Sequence, residues 1–205
     1  MVHGAVARAL AAQAGDKLDE QSALLAHHCE AAEEALNAAR WHRRAAEWAG
    51  LNDPRAALHH WQRVRSLARV EHENRDATRL LAVACTQALM FVMRLGGSAA
   101  AILELFEDGC LAAEQIADLA LLATLNAAYG GALGLNHALV LDHVRYAAEG
   151  ARIADRAGHP AMRVAARGHL LWGHWSCGQL VEMERVADEI VTLACGDVEI
   201  GRAHV

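Results

Sequence analysis

The sequence predicts an all-α protein, an α-α superhelix of about nine to ten helices arranged as antiparallel hairpins. Hydrophobic residues make up 54% of the chain but aromatic residues only 4%. Alanine supplies much of the apolar content, which suits closely packed helices. Only two prolines occur, which argues against a loop-rich or all-β fold. Apolar residues also recur at helical spacing, in segments separated by short turns.

Residues 35–68 predict the clearest hairpin. On its first helix, Trp41, Ala45 and Trp48 lie at i, i+4 and i+7, so they share one face. Asp53 then stands where an N-cap is expected, and Pro54 takes the first helical position. The second helix repeats the same spacing with Ala57, Trp61, Val64 and Ala68. Small residues facing large ones favour close antiparallel packing, so this hairpin needs neighbours that cover its outer faces.

The remaining helices follow from the same periodicity and from breaks at glycine and proline. Gly96 and Gly97 end one helix, and Ser98 caps the next. Asn136 and His137 are predicted to form a turn. The predicted helices cover residues 1–14, 19–34, 71–95, 99–118, 119–135, 137–158, 161–177 and 180–195.

The predicted turn glycines Gly96, Gly134 and Gly178 recur at intervals of roughly 40 residues. The ends of alternate helices recur at similar intervals. This irregular period is typical of divergent helix-turn-helix repeats and not of a strict 34-residue array.

The first 68 residues resemble a known family. MVHGAVARAL is similar to an "LHxxVAxAL" helix, and LLAHHCEAAEEALNAARWHRRAAEWA is similar to "LAhHyxxAGxxxxAxxwxxxAaxxA". Both motifs belong to the tetratricopeptide-like helical region that follows the nucleotide-binding domain in large bacterial signalling ATPases. Some of these carry class III adenylate or guanylate cyclase domains, and others carry a C-terminal DNA-binding domain. Cys29 departs from the pattern, which usually has an aromatic residue there.

The chain is expected to consist of three parts, of which the resemblance implies the first two. Residues 1–34 would join an ATPase module to the repeats, and residues 35–198 would form tetratricopeptide-like repeats. Residues 199–205, EIGRAHV, match one translated frame of a common short-read sequencing adapter. We therefore expect them to be a sequencing artefact and the chain to be a fragment of a longer protein. The alternative is a genuine polar C-terminal tail.

Charge and cysteine content limit the functional classes. The formal net charge of −6 gives no electrostatic reason to expect nucleic-acid binding. Five cysteines without a CxxC pair, and an N-terminus without a long apolar run, favour a reducing cytoplasm with buried free thiols. Residues 119–135 are uncharged and near the lower length limit for a membrane span, but their polar residues and glycines favour a buried central helix. We expect no membrane partner.

Two polar clusters raise the question of a site. The histidines His27, His28, His42, His59 and His60 suggest metal binding, but adjacent histidines on a helix diverge by about 100° and poorly share one ion. We therefore predict no metal and no cofactor, while His28 retains the option of pairing with a residue of a neighbouring helix. A second cluster is acidic, and we expect it to be a solvated helix face without a catalytic residue: Glu104, Glu107, Asp108 and Glu114.

Four residues are the candidate partner surface. Trp172 and Trp175 lie at i, i+3 on one helix together with His169, and Tyr129 lies on the central helix. Aromatic side chains on the inner helices of a superhelix are suited to line a ligand groove, although they more often belong to the core.

The sequence thus favours a non-catalytic scaffold that binds a protein, a peptide or another domain of its own chain. The resemblance implies that this binding is coupled to an ATPase and in some relatives to a cyclase. The alternative is a small-molecule-sensing helical domain of a transcriptional regulator, with its ligand near Trp172 and Trp175. A standalone enzyme is a third hypothesis, although no phosphate-binding, nucleophile-elbow, zinc-protease or calcium-loop motif occurs in the sequence.

Overall fold

The computed structural model describes residues 2–71 and 74–202, with side chains through residue 195. Within these residues the fold is all-α, with ten α-helices, one short 3₁₀ turn at Gly15–Lys17 and no strand. The helices, numbered α1 to α10, are Val2–Gln13, Ser22–Ala31, Ala35–Ala49, Pro54–Val70, Arg75–Leu95, Ala99–Gln115, Leu119–His137, Val140–Ala157, Pro160–Ser176 and Leu180–Arg202.

Short polar side chains begin four of these helices. Asp53 accepts a hydrogen bond from the Ala56 backbone N–H, with Pro54 at the first helical position, as predicted. Ser98 caps α6 in the same way, which confirms the prediction from the sequence. Asn74 and Asp118 cap α5 and α7. Each cap satisfies a backbone N–H that the helix itself leaves without a partner.

Several predicted helix boundaries differ from the structure, and two of these differences have a clear local cause. The α5 helix begins at Arg75 and not at residue 71, because Asn74 provides its cap. The α7 helix continues through the predicted turn to His137 and ends at Ala138, whose φ of 55° is left-handed. Gly134 therefore lies inside α7 and not in a turn. A Cβ on it would stand 3.0 Å from Nδ1 of His143, so the glycine permits close packing of α8.

The predicted hairpin is formed by α3 and α4. On α4 the buried side chains are the four predicted from the periodicity: Ala57, Trp61, Val64 and Ala68. On α3 the prediction is wrong for Trp48, which is 55% exposed. The buried face of α3 consists of four alanines and one histidine: Ala38, Ala39, His42, Ala45 and Ala46. The small alanine side chains allow α3 to pack closely against α4, although the indole of Trp48 does not contribute to this buried face.

Each helix packs against the next one along the chain. The odd-numbered helices also contact one another in order, α3 with α5, α5 with α7, and α7 with α9. The main core lies among α3 to α7, a second cluster joins α7 to α10, and a third joins α1 to α4. The odd helices consequently form a layer of neighbours, and one face of that layer contains the groove described below.

Two helices, α5 and α7, are long and apolar enough to cross a membrane by length and composition alone. Within the chain, 56% of the most apolar window of each is buried against other helices. The polar groups of α7 are used internally, since Asn126 donates to the Leu122 carbonyl and Asn136 donates to the carbonyls of Ala132 and Val92.

The cysteines are free, and their burial varies. Cys29 and Cys85 are buried, as predicted, whereas Cys195 is exposed. Burial raises the pKa of Cys85 to about 12, so that thiol stays protonated and packs as a small apolar group. At the C-terminal end, the α10 backbone continues to Arg202 and so includes the first residues of the predicted artefact segment, whereas residues 203–205 lie outside the described part of the chain.

Candidate binding groove and histidine cluster

A groove of about 1110 Å³ runs across one face of the layer formed by α3, α5 and α7. Each of these helices contributes two or more turns to its wall, and the loop before α2 adds one residue. The lining residues are Asp19, Arg40, Arg43, Arg44, Glu47, Trp48, Asp76, Arg79, Leu80, Val83, Asp118, Ala120, Leu121 and Thr124.

Ion pairs connect successive odd helices along the groove. Arg40 of α3 donates to Asp76, at the start of α5, at 3.0 Å. Arg79 of α5 donates to Asp118, the N-cap of α7, at 2.5 Å. In both pairs an arginine of one helix reaches an acid at the beginning of the next odd helix. That acid also lies near the positive end of the helix dipole, which favours its negative charge.

Two further pairs occupy the α3 side of the groove. Arg44 pairs with Asp19, and Arg43 pairs with Glu47 one helical turn away at 2.8 Å. Each of the four lining arginines therefore faces an acid, and the wall carries balanced charge. These pairs are largely solvent-exposed, so each contributes little stability, on the order of 0–1 kcal/mol. The guanidinium groups keep further N–H donors for a bound partner.

The apolar part of the groove is contributed by all three helices. Trp48 presents its indole from the end of α3 and is 55% exposed. Leu80 and Val83 of α5 and Leu121 of α7 complete this surface. An exposed tryptophan next to aliphatic side chains and paired charges suits a partner segment that has both apolar and charged side chains. The arrangement favours binding of such a segment.

The four residues predicted as a partner surface do not line this groove. Trp175 is 60% exposed near the end of α9, which is compatible with a surface role. The partly buried Trp172 packs edge-on against the buried ring of His143, with the ring centroids 5.3 Å apart. Burial lowers the pKa of His169 on the same helix, so this imidazole is largely neutral at pH 7. No partner contact tests these residues, and their role stays a prediction.

Tyr129 belongs to the core instead. It is 6% exposed, stacks on Phe106 with centroids 4.1 Å apart, and meets Tyr146 edge-on at 4.7 Å. Gly130, which follows it, permits this packing, because a Cβ there would lie 2.9 Å from the His143 carbonyl oxygen. The aromatic trio joins α6, α7 and α8. Of the four residues predicted as a partner surface, Tyr129 is thus the one that lies in the core.

Part of the acidic cluster of α6 is buried and paired with arginines, although the sequence predicts a solvated face. Asp108 is 18% exposed at its side chain and pairs with both Arg65 and Arg69 of α4, the latter at 2.7 Å. Glu104 lies 3.4 Å from Arg65. The expected solvated face thus includes a connection between α4 and α6.

A second polar cluster joins α2, α3 and α4. Nε2 of His42 lies 2.5 Å from Oε1 of Glu30, and Nδ1 of His42 lies 2.9 Å from Nδ1 of His60. Arg63 donates to both carboxylate oxygens of Glu30, at 2.6 and 3.2 Å. His42 is 6% exposed, whereas Glu30, His60 and Arg63 remain partly exposed to solvent.

The pKa values in this cluster keep the carboxylate charged and the imidazoles neutral. Burial lowers the pKa of His42, and it lowers that of His60 to about 4, assisted by the neighbouring His42 and His59. Burial would raise the pKa of Glu30, but the hydrogen bonds from Arg63 and His42 outweigh it and lower the net value. At pH 7 the cluster holds a Glu30–Arg63 ion pair beside two neutral rings.

We expect acid to destabilise the protein through His60. The unfolded imidazole has a pKa near 6.5, so below that pH the unfolded state binds the proton first. The stabilisation that the neutral His60 contributes is fully present above pH 6.5, and it is lost as the pH falls toward 4. Between pH 7.5 and 5.0 we expect a loss of about 1–2 kcal/mol from this residue, given its partial exposure. Urea unfolding at the two pH values measures it.

The matched control is His60→Gln, which cannot titrate. It should make the pH dependence shallower but not remove it, because burial also lowers the pKa values of His143 and His169. Glu30 titrates below this window and does not interfere. An unchanged pH dependence in His60→Gln would contradict the assignment.

The histidines of α1 and α2 form a separate contact. His28 approaches His3 of α1, with their Nδ1 atoms 3.0 Å apart, and the contact is exposed. The rings of His27 and His28 lie 5.6 Å apart at centroid, in keeping with the expected divergence of adjacent helical residues. Across residues 2–71 and 74–195, no three His, Cys, Asp or Glu side chains converge as a ready set of metal ligands.

The sequence interpretation missed the groove because its residues are scattered over three helices. A faint signal was present, since Arg40 and Arg79, and likewise Asp76 and Asp118, recur at roughly the spacing of the predicted repeat. Comparison with known proteins adds no assignment. No protein-family model matches the chain, and no curated protein matches it.

Proposed function

We propose that this chain is a tetratricopeptide-like helical-repeat scaffold that binds an amphipathic peptide segment in the groove of α3, α5 and α7. The observation that carries the proposal is the ordered contact between successive odd helices, which together line one groove. In an α-α superhelix, each hairpin covers the apolar face of the next, and the first helices of the hairpins line the inner surface. Helices α3, α5, α7 and α9 would be these first helices.

The bound segment belongs to a partner protein or to another domain of a longer chain. The resemblance of residues 2–68 to the helical region of bacterial signalling ATPases supports the second source. In such an assembly, the scaffold would act by binding and not by catalysis. Occupation of a groove shared by three repeats would favour one relative arrangement of the hairpins, and so influence a neighbouring domain.

Peptide selection on the purified protein tests the groove. A display library of random 15-residue peptides is the probe, and fluorescence polarisation of labelled selected peptides gives their affinities. We expect Trp48→Ala to weaken the selected peptides at least tenfold, because an exposed central indole is a typical anchor. Arg79→Glu should weaken them as well, because it removes a guanidinium donor from the groove wall.

The control is Leu111→Ala, which removes a side chain of α6 that is 61% exposed and does not line the groove. It should leave peptide affinity unchanged. If the selected peptides bind Trp48→Ala and Arg79→Glu as tightly as the unmodified protein, the groove is not the binding site.

A further inference from the structure

Large apolar side chains are exposed at two turns, one between α7 and α8 and the other between α9 and α10. Such side chains scattered singly over a surface are ordinary, but a cluster of them often marks an interface. Six of them, with exposed fractions from 43% to 78%, lie in the segments 135–141 and 175–181. We call this set the turn patch: Leu135, Leu139, Leu141, Trp175, Leu180 and Val181.

Contacts between the two turns bring these side chains to one part of the surface. The thiol of Cys177, between α9 and α10, donates to the carbonyl oxygen of Val140, at the start of α8, at 3.3 Å. A Cβ on Gly173, near the end of α9, would stand 3.4 Å from Cα of Val144, so the two backbones approach closely there. The end of α9 therefore lies against the start of α8, and the two turns lie side by side.

The turn patch carries no charge of its own. Neither segment contains Asp, Glu, Lys or Arg, although these residue types make up 21% of the chain. Charged side chains that follow the segments form pairs within their own helices, Arg145 with Asp142 and Arg185 with Glu182, each at 2.9 Å. A partner that covers the patch thus needs an apolar surface and need not bury an unpaired ion, which would be costly.

We propose that the turn patch binds the same patch of a second copy of this chain, forming a two-fold homodimer. The six side chains expose on the order of 600 Å² together, the upper end of the range for the largest apolar patch on a monomer. A two-fold pair would bury on the order of 1,200 Å² from these residues alone, which reaches the lower limit of specific protein interfaces. Such a closed contact covers both patches at once.

The charge of the surroundings favours a second copy over a lipid surface. Segments that lie on membranes usually combine apolar side chains with basic ones that attract anionic headgroups. Here Arg145 and Arg185 are each paired with an acid, and the chain has a formal net charge of −6. Two uncharged patches, by contrast, meet without repulsion and remove apolar surface from water. The turn patch includes none of the residues that line the groove, so the dimer does not rest on the proposed function.

Sedimentation velocity of the full chain in reducing buffer, from about 1 to 100 μM, tests the pairing. We expect a reversible equilibrium between monomer and dimer in the unmodified protein. Leu141→Glu and Val181→Glu should each weaken the dimer at least tenfold, because the two-fold contact would then bury two carboxylates. The matched control is Leu111→Glu, which makes the same change at an exposed position of α6 near its opposite end, towards α7, and should leave the dimer unchanged.

Hydrogen exchange on the unmodified chain does not depend on how the variants fold. Raising the concentration over the same range should slow amide exchange in the segments 135–141 and 175–181. The proposal is overturned if the chain stays monomeric at about 100 μM, or if Leu141→Glu and Val181→Glu dimerise as tightly as the unmodified protein. It is also overturned if the chain floats with phosphatidylcholine vesicles as a monomer and the two variants do not, since the patch would then contact lipid.

Discussion

Trp61→Ala should lower the free energy of unfolding by about 3–5 kcal/mol, the cost of removing a buried indole and leaving a cavity. Trp61 is 3% exposed and lies in the main core with Ala39, Ala46 and Ala57. These alanines are too small to fill the space, so the cavity should persist. The loss would be a large fraction of the 5–15 kcal/mol that stabilises a typical domain. Urea or thermal unfolding followed by circular dichroism measures it.

Trp48→Ala is the matched control, since it makes the same chemical change on the facing helix. Trp48 is 55% exposed, so the expected loss is below about 1 kcal/mol. Comparable losses for the two variants would contradict the burial described for Trp61. The same Trp48→Ala protein serves the peptide experiment, where its small effect on stability separates lost binding from unfolding.

Gly150→Ala should destabilise the protein by about 1–3 kcal/mol, although alanine is the better helix former. A Cβ at Gly150 of α8 would stand 2.8 Å from the Ala123 carbonyl oxygen and 3.3 Å from the Ala127 nitrogen of α7. Both are backbone atoms, so no side-chain rotation relieves the overlap. The helices would have to separate along their closest contact.

Gly168→Ala is expected to change the stability in the opposite direction. Gly168 lies in the interior of α9, and no atom stands within 4 Å of its added Cβ. The substitution should therefore stabilise the protein by roughly 0.5–1 kcal/mol through helix propensity alone. Differential scanning calorimetry of the two variants should show Tm shifts in opposite directions. If Gly150→Ala were stabilising, the close contact between α7 and α8 would be wrong.

The groove and the histidine cluster lie on different sides of α3. The groove uses the outward side of α3, including Trp48, whereas the cluster uses its buried side at His42.

The presence of each helix, and several of the helix starts, were determined by the sequence. The periodicity of Ala57, Trp61, Val64 and Ala68 identified the buried face of α4 correctly. Asp53 with Pro54, and likewise Ser98, identified helix starts, because a cap depends on hydrogen bonds within one turn of the chain. Such local interactions act between near neighbours, so the sequence alone is sufficient to predict them.

Tertiary structure decided the rest. It placed Trp48 in the groove and Gly134 inside α7, both against the sequence prediction, and it packed Tyr129 in the core. These outcomes depend on which helix covers which face, and periodicity does not specify the neighbour. The ion pair of Arg40 with Asp76 and the contact of His42 with His60 likewise join separate helices. Such sites arise from packing between distant segments, and only the folded arrangement brings their residues together.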